Sequence, residues 1–250
     1  MSRIGGITIL RADEDVLVVA KPAGLLTAQG RWHAEEPTVF TELARTCRIE
    51  GLRLVHRLDK ETSGVLVLAR TLEAQRTLTE QWAGRRVRKE YLALVLGSPE
   101  RDEFEIDLAL CDDENRKRVT VGGRRAKEAR TKCRVLERFA GLTLLDVHPL
   151  TGRRHQIRAH LAAVGLPIAA DRLYGDGKPI RLSELSTRYK RKGEERPLLA
   201  RTALHAARLD FEHPRTGERI RCEAPLPKDF ALALKNVRKY AVLRTPKSER

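Results

Sequence analysis

Three segments of the chain hold side chains whose types and spacing can do chemistry. The densest is Leu54–Gly64, LVHRLDKETSG, where His56, Arg57 and Asp59 fall within four residues. A carboxyl flanked by cations stays ionised. An ionised Asp59 can serve as nucleophile, base or metal ligand. The plainer reading is a loop whose Asp caps the next element. The second segment is Thr151–His160, TGRRHQIRAH. Arg154 and Arg158 are i,i+4 partners at the start of an expected helix and would project from one side. A guanidinium there could clamp a phosphate or pair with a carboxylate. A solvated basic helix face is the alternative. The third segment is Lys89–Tyr91, within RVRKEYLAL, an aromatic among cations at the start of an apolar run. It reads equally as a core tyrosine with a satisfied hydroxyl.

The chain of 250 residues has room for one large domain or two small ones. Apolar residues make up 41% and charged residues 33%. The charge is lopsided: Lys+Arg 49 against Asp+Glu 34 gives +15. Such a surface attracts polyanions, with nucleic acid the first candidate and an anionic membrane surface the second. The apolar runs Val16–Ala20, Val65–Ala69 and Leu92–Leu96 are far too short to span a bilayer. The opening MSRIGGITILRADED meets acidic residues too early for a signal peptide. Cys47, Cys111, Cys133 and Cys222 are far apart, with no C-x-x-C. This argues against a disulfide framework or a cysteine zinc site, and for thiols packed in a reducing cytosol.

The elements that would position these segments follow from periodicity. Ile7–Leu10 and Val16–Ala20 read as strands about the polar turn Ala12–Asp15, and Pro22 and Gly24 end the second. Pro37 suits the first turn of a helix reaching about Cys47. Leu54–Asp59 is irregular, Gly64–Ala69 a strand, Thr71–Trp82 a helix and Tyr91–Leu96 a strand. Glu103–Val147 reads as several strands with charged turns, and about Arg154–Val164 as a helix. Asp176–Pro197, with RYKRKGEER, reads as a surface loop. Ala206–Phe211 and Ile220–Ala224 flank the hairpin turn HPRTGE, and Pro227–Tyr240 reads as a helix before a frayed tail. The expected class is α/β of the α+β type: a mixed, largely antiparallel central sheet with flanking helices.

Taken together, KPAGLLT at Lys21–Thr27, HRLDKETSGVLVLA at His56–Ala69, KEYLALV at Lys89–Val95 and TGRRHQIRAHL at Thr151–Leu161 resemble the RluA-type RNA pseudouridine synthases. PIAADRLYG at Pro167–Gly175 and LHAARLDFEHPRTGE at Leu204–Glu218 fit as well, in the family's order. The resemblance implies the pseudouridine synthase catalytic fold. It makes Asp59 the catalytic aspartate, Tyr91 the tyrosine that stacks on the target base, and Arg158 the arginine that pairs with the aspartate. Arg57 matches a flanking arginine near the phosphodiester. His56 and Arg154 are expected beside it in RNA contact. A catalytic domain over residues 1–230 is expected, with the helix end and a basic tail over 231–250. The first strand begins so early that no amino-terminal S4-type domain is expected. RNA grip would then rest on the domain's own cations: Arg188, Lys190, Arg191 and Lys192 in the polar loop, and Lys235, Arg238 and Lys239 near the end.

The implied reaction breaks the N1–C1′ bond of uridine and forms C5–C1′. A carboxylate can attack C1′ or assist glycal formation by deprotonation, and both routes stay open. No redox step occurs, so no cofactor is expected, and no metal. The target base must be flipped out of the stack. The expected partner is rRNA or tRNA, with no membrane and no protein partner, for a cytoplasmic monomer. Three rivals stand beside this reading. A non-catalytic basic RNA-binding protein explains the charge but not an anionic Asp59 among cations. A metal-dependent nuclease would use His56, Asp59 and His155, and needs several ligands about an ion. A serine hydrolase on Ser63 lacks the G-x-S-x-G turn.

Overall fold

The computed structural model describes residues 3–4, 6–29, 36–47, 51–113, 118–186, 189 and 193–242. The chain forms two compact units, Met1–Tyr91 with Leu204–Leu226, and Leu92–Ala203 with Pro227–Arg250. Strand β6 (Arg88–Leu96) passes from the first into the second. Residue 230, where the catalytic domain is expected to end, lies inside an element. Helix α5 (Lys228–Tyr240) runs through that point, and Phe230, Ala233, Leu234 and Val237 bury one face of it. Residues 243–250 of the expected tail lie outside the described residues.

In the first unit, β1 (Arg3–Ile4), β2 (Ile7–Ala12), β3 (Val16–Lys21) and β5 (Ser63–Ala69) pair antiparallel in that order. The other edge of β5 takes β4 (Arg53–Leu54) antiparallel and β12 (Leu204–Glu212) parallel, and β12 pairs with β13 (Arg219–Glu223). Strands β3 and β5 alternate between two apolar faces, which is why both read as continuous apolar runs. Val16, Val18, Val65 and Val67 pack with helix α2 (Leu72–Ala83) through Ala74 and Leu78. Leu17, Val19, Leu66 and Leu68 pack with helix α1 (Val39–Cys47) through Val39 and Leu43. Thr71 caps α2, its side chain accepting from the Ala74 N–H.

In the second unit, β10 (Arg130–Phe139) lies between β11 (Leu142–Pro149) and β7 (Glu103–Asp107), antiparallel to both. Strands β8 (Leu110–Asp113) and β9 (Arg118–Val121) form a separate hairpin. Helix α3 (Gln156–Ala163) begins two residues later than its periodicity predicts, because His155 takes a left-handed conformation (φ 50°) ahead of it. The polar stretch Asp176–Pro197 carries a short helix, α4 (Leu182–Leu185), where a loop was expected. Glu195 holds it by accepting from the Ser183 N–H and Oγ at 2.9 and 2.6 Å. Both units are of the expected α+β class. Among the described residues, no helix is long and apolar enough to cross a membrane.

One glycine fixes the register that matters most. Gly64 has φ +126°, and a Cβ there would lie 2.1 Å from the Ala206 carbonyl oxygen of the parallel partner strand. Beside it the buried Ser63 hydroxyl meets His205 Nδ1 at 3.0 Å, and His205 Nε2 donates to the Ala224 carbonyl at 3.1 Å. Gly64→Ala must push two backbones apart and adopt a backbone conformation hostile to a side chain. It should cost about 3 kcal/mol or more. Urea denaturation measures this; an unchanged midpoint would contradict the account.

Candidate active site

Asp59 lies on an irregular loop, so its position has to come from side chains and turns. Lys21 ends β3 with its side chain 1% exposed. Its Nζ donates to the carbonyls of Pro22, Leu25 and Lys60 at 2.9, 2.7 and 3.1 Å. The Gly24 N–H donates to the Lys60 carbonyl at 2.8 Å, from a left-handed conformation (φ +84°) that favours glycine. Thr27 Oγ1 donates to the Leu58 carbonyl at 2.8 Å and accepts from the Leu58 N–H at 3.1 Å. The KPAGLLT segment therefore grips the residues on both sides of Asp59. Behind it the Thr62 N–H returns to the Asp59 carbonyl at 3.1 Å, closing a turn into β5.

Tyr91 packs in the same apolar cluster as Leu58. Burial, and then the negative charge of Asp59, push its phenol far above the ordinary range. Tyr91 is thus a neutral ring and hydroxyl within electrostatic reach of the carboxylate. Two residues before it, Lys89 is brought down to about 8 by burial and by Arg85. Arg57 is exposed and bonds to no other described residue. It can turn toward an incoming phosphate.

His56 does something other than the RNA contact expected of it. Its Nε2 accepts from the Val67 N–H at 3.0 Å, and its ring stacks on Trp82 at 4.7 Å between centroids. An accepting Nε2 cannot carry a proton, so the ring is neutral and brings no positive charge to RNA. Burial, helped by Lys89, takes its pKa down to about 3. The same bond occupies the lone pair that a metal would need at Nε2, which counts against the nuclease reading. Ser63 is 0% exposed, so no substrate reaches it as a hydrolase would require.

The second unit holds Arg158. Because α3 starts at Gln156, Arg154 precedes the helix and does not share a face with Arg158, against the i,i+4 expectation. Gln156 sets this break. Its Oε1 accepts from Thr151 Oγ1 at 2.7 Å and from the Arg153 N–H at 3.0 Å. Its Nε2 donates to the Arg130 carbonyl at 2.9 Å. Arg154 Nε pairs with Asp112 at 3.2 Å on the surface. Arg158 is buried, and its Nε and Nη2 grip Asp171 at 2.6 and 2.9 Å. Burial pushes the Asp171 carboxyl up, but the guanidinium and the N–H groups of Leu173 and Tyr174 outweigh it and hold the group below the usual carboxylate range.

Of the other cations, Arg188, Lys190, Arg191 and Lys192 lie outside the described residues. Arg238 is engaged by both oxygens of Glu137, at 2.8 and 2.5 Å. Asp13, Asp15 and His213 gather at one end of the first unit. His213 Nδ1 accepts from the Arg215 and Thr216 N–H groups, so its proton sits on Nε2, facing Asp13 at 3.4 Å. Arg215 Nη2 bonds Asp15 at 2.9 Å. A protonated nitrogen offers an ion no lone pair, and the cluster is a staple between two turns.

Residues 15–163 match the sequence profile of a family described as RNA pseudouridylate synthase. The chain belongs to that family. Ribosomal large subunit pseudouridine synthase D of Nitrosomonas europaea is 39% identical over 236 residues, covering 93% of this chain and 65% of that protein. The chain thus spans just under two thirds of that relative's length. Dual-specificity RNA pseudouridine synthase RluA of Escherichia coli is 37% identical over 221 residues, covering 88% of this chain and 93% of that protein. The solved structure of Human RNA Pseudouridylate Synthase Domain Containing 4 superposes with a TM-score of 0.71 at 26% identity, over 92% of this chain and 93% of that one.

The residues that hold the Asp59 loop, Lys21 and Thr27, and those that hold Arg158 and its helix start, Gln156, Asp171 and Tyr174, carry no sequence-based assignment. All lie inside motifs that the family resemblance takes whole. The signal available is a charged or polar residue at a fixed place in each, above all the Asp and Tyr of DRLYG.

The state of His56 gives a pH prediction. In the folded chain it stays neutral down to about pH 3, whereas an unfolded histidine takes up its proton near 6.5. Its contribution to stability is therefore full above about pH 6.5 and is lost as pH falls from there toward 3. NMR titration of the ring should show no protonation between about pH 5 and 8. A midpoint near 6.5 would show that the Val67 bond is not maintained.

Proposed function

We propose that this chain is an RNA pseudouridine synthase that isomerises specific uridines in rRNA or tRNA, with Asp59 as its catalytic carboxylate. The observation that carries the reading is the clamping of Asp59, in HRLDKETSG, with a neutral, half-buried Tyr91 within its electrostatic reach. The relative from Nitrosomonas europaea is named for the ribosomal large subunit, and the one from Escherichia coli for dual specificity. Those names support rRNA as one target and leave room for a second.

The reaction conserves atoms and electrons. The N1–C1′ bond breaks, the base turns, C5–C1′ forms, C5 gives up its proton and N1 gains one. The target nucleotide leaves the stack, and the Tyr91 ring offers it a surface worth about 1–3 kcal/mol. Asp59 acts at C1′ by attack or by deprotonation. By the family resemblance Arg158 is the cation that serves this carboxylate, and exposed Arg57 takes a neighbouring phosphate. The protein works as a monomer in the cytosol. The buried thiols of Cys133 and Cys222, both raised by burial, are consistent with a reducing compartment.

Asp59→Asn is nearly isosteric but lacks the charge. It should abolish tritium release from bulk RNA labelled with 5-tritiated uridine while changing RNA affinity less than about threefold. Full activity in the purified variant would sink the assignment, and absence of release by the wild type would leave only the non-catalytic RNA-binding reading.

Neutralising Arg188, Lys190, Arg191 and Lys192 together should weaken binding and flatten its salt dependence. The slope of log affinity against log salt should fall by about 0.7–0.9 for each phosphate that the loop no longer neutralises. Single-turnover chemistry at saturating RNA should hardly change. An unchanged slope would mean that the loop touches no RNA.

A further inference from the structure

Arg158 sits in a more elaborate setting than a residue that only neutralises charge needs. Asp171, which grips it, is 0% exposed. The division of labour on that carboxylate is specific. Oδ1 accepts from the N–H groups of Leu173 and Tyr174 at 2.9 and 3.1 Å and from Arg158 Nη2 at 2.9 Å. Oδ2 accepts from Arg158 Nε at 2.6 Å. The fork fixes the plane of the guanidinium.

The face of that plane is covered too. The Tyr174 ring lies 5.1 Å from the Arg158 guanidinium carbon. The ring is itself held at its far end. Tyr174 Oη accepts from the Val119 N–H of β9 at 2.7 Å, and lies 3.0 Å from His155 Nδ1. The His155 ring meets the tyrosine edge-on, at 5.7 Å between centroids. Tyr174 also packs with Leu110, Val119, Ala129 and Ala159. Asp171 therefore sets the direction of the guanidinium, and Tyr174 stops it from tipping out of plane. The β8–β9 hairpin and the left-handed His155 anchor the tyrosine.

We infer that Asp171 and Tyr174 are positioning residues, which fix the orientation of the Arg158 guanidinium for the isomerisation. This rests on the role given to Arg158 above. Neither residue touches substrate; both act through the guanidinium. Asp171 also has a structural role, because Oδ1 closes the turn at Leu173 and Tyr174. Asp171→Asn separates the two. Asn keeps Oδ1 and the turn, but sets an NH₂ against the Nε–H of Arg158, donor against donor.

The test compares wild type, Asp171→Asn, Tyr174→Leu, Arg158→Lys and the Asp171→Asn/Arg158→Lys double variant, all in the full chain. Single-turnover tritium release is measured at saturating bulk RNA labelled with 5-tritiated uridine, with RNA affinity and thermal midpoint beside it. Asp171→Asn should slow the chemical step about 100-fold, the usual scale of a misplaced catalytic group, with affinity nearly unchanged. Tyr174→Leu should slow it less. In the Arg158→Lys background, Asp171→Asn should add less than about a twofold loss, because the two changes disrupt one unit. Losses that multiply in the double variant, or a loss of affinity at an unchanged chemical rate, would overturn the inference. An activity-independent readout is the Arg158 Nε–Hε NMR signal, which should be protected from exchange in wild type and lost in Asp171→Asn. If wild type releases no tritium, the proposed reaction falls, and this signal still decides whether Asp171 holds Arg158. If Asp171→Asn does not fold, Tyr174→Leu decides: an unchanged chemical rate there would count against the inference.

Discussion

The ammonium of Lys21, buried among the carbonyls of Pro22, Leu25 and Lys60, is the contact on which the geometry of the Asp59 loop depends. Burying a cation costs several kcal/mol unless its hydrogen bonds are replaced. Here backbone oxygens replace them, and two of the three belong to the segment that follows β3. The third belongs to Lys60, next to Asp59. With the Thr27 clamp on Leu58, the loop is bounded on both sides of the carboxylate. On the proposed reaction, where this carboxylate meets one carbon of a flipped nucleotide, such constraint matters, because misplacement by about an ångström costs roughly 100-fold in rate.

That clamp works only because the strand behind it cannot slide. Strand β5 is buried along its whole length and pairs on both edges. Gly64 allows the close parallel approach to Ala206 that no side chain would permit. The buried Ser63–His205 pair fixes the same level of the sheet. The Ser and Gly of HRLDKETSG thus serve the sheet, while the Asp four residues earlier serves the site. The division explains why the motif runs on past its aspartate.

Much of this is legible in the residues. The alternation in Val16–Ala20 and Gly64–Ala69 marks the buried strands, and Leu72, Leu78 and Trp82 mark α2. The α3 boundary escapes the sequence because Gln156 caps the turn through its side chain, which periodicity cannot show. Spacing consequently places Arg154 and Arg158 on one face, although one is a surface ion pair and the other a buried fork. His56 reads as a cation because its neighbours are charged. Only the Val67 N–H and the Trp82 ring, contacts made through the fold, reveal it as a neutral acceptor. Asp171 stands in a family motif, but its partner lies thirteen residues away and is not deducible from spacing. The two interleaved units are hidden for a similar reason: Leu204–Leu226 returns to the first unit through long-range strand pairing.

The net charge of +15 and the anionic Asp59 pull in opposite directions. A surface that only gathers RNA would not place a carboxylate where phosphate arrives. A surface that must act on one sugar carbon of that RNA needs one. The most direct test is a crystal structure of the protein with an RNA that carries 5-fluorouridine at its modified position, since fluorine at C5 blocks the final proton loss. The account predicts the target nucleotide out of the stack, its ring against Tyr91 and its C1′ bonded to the Asp59 carboxylate or about 3–3.5 Å from it. A target C1′ seated well away from Asp59, against another side chain, would contradict it.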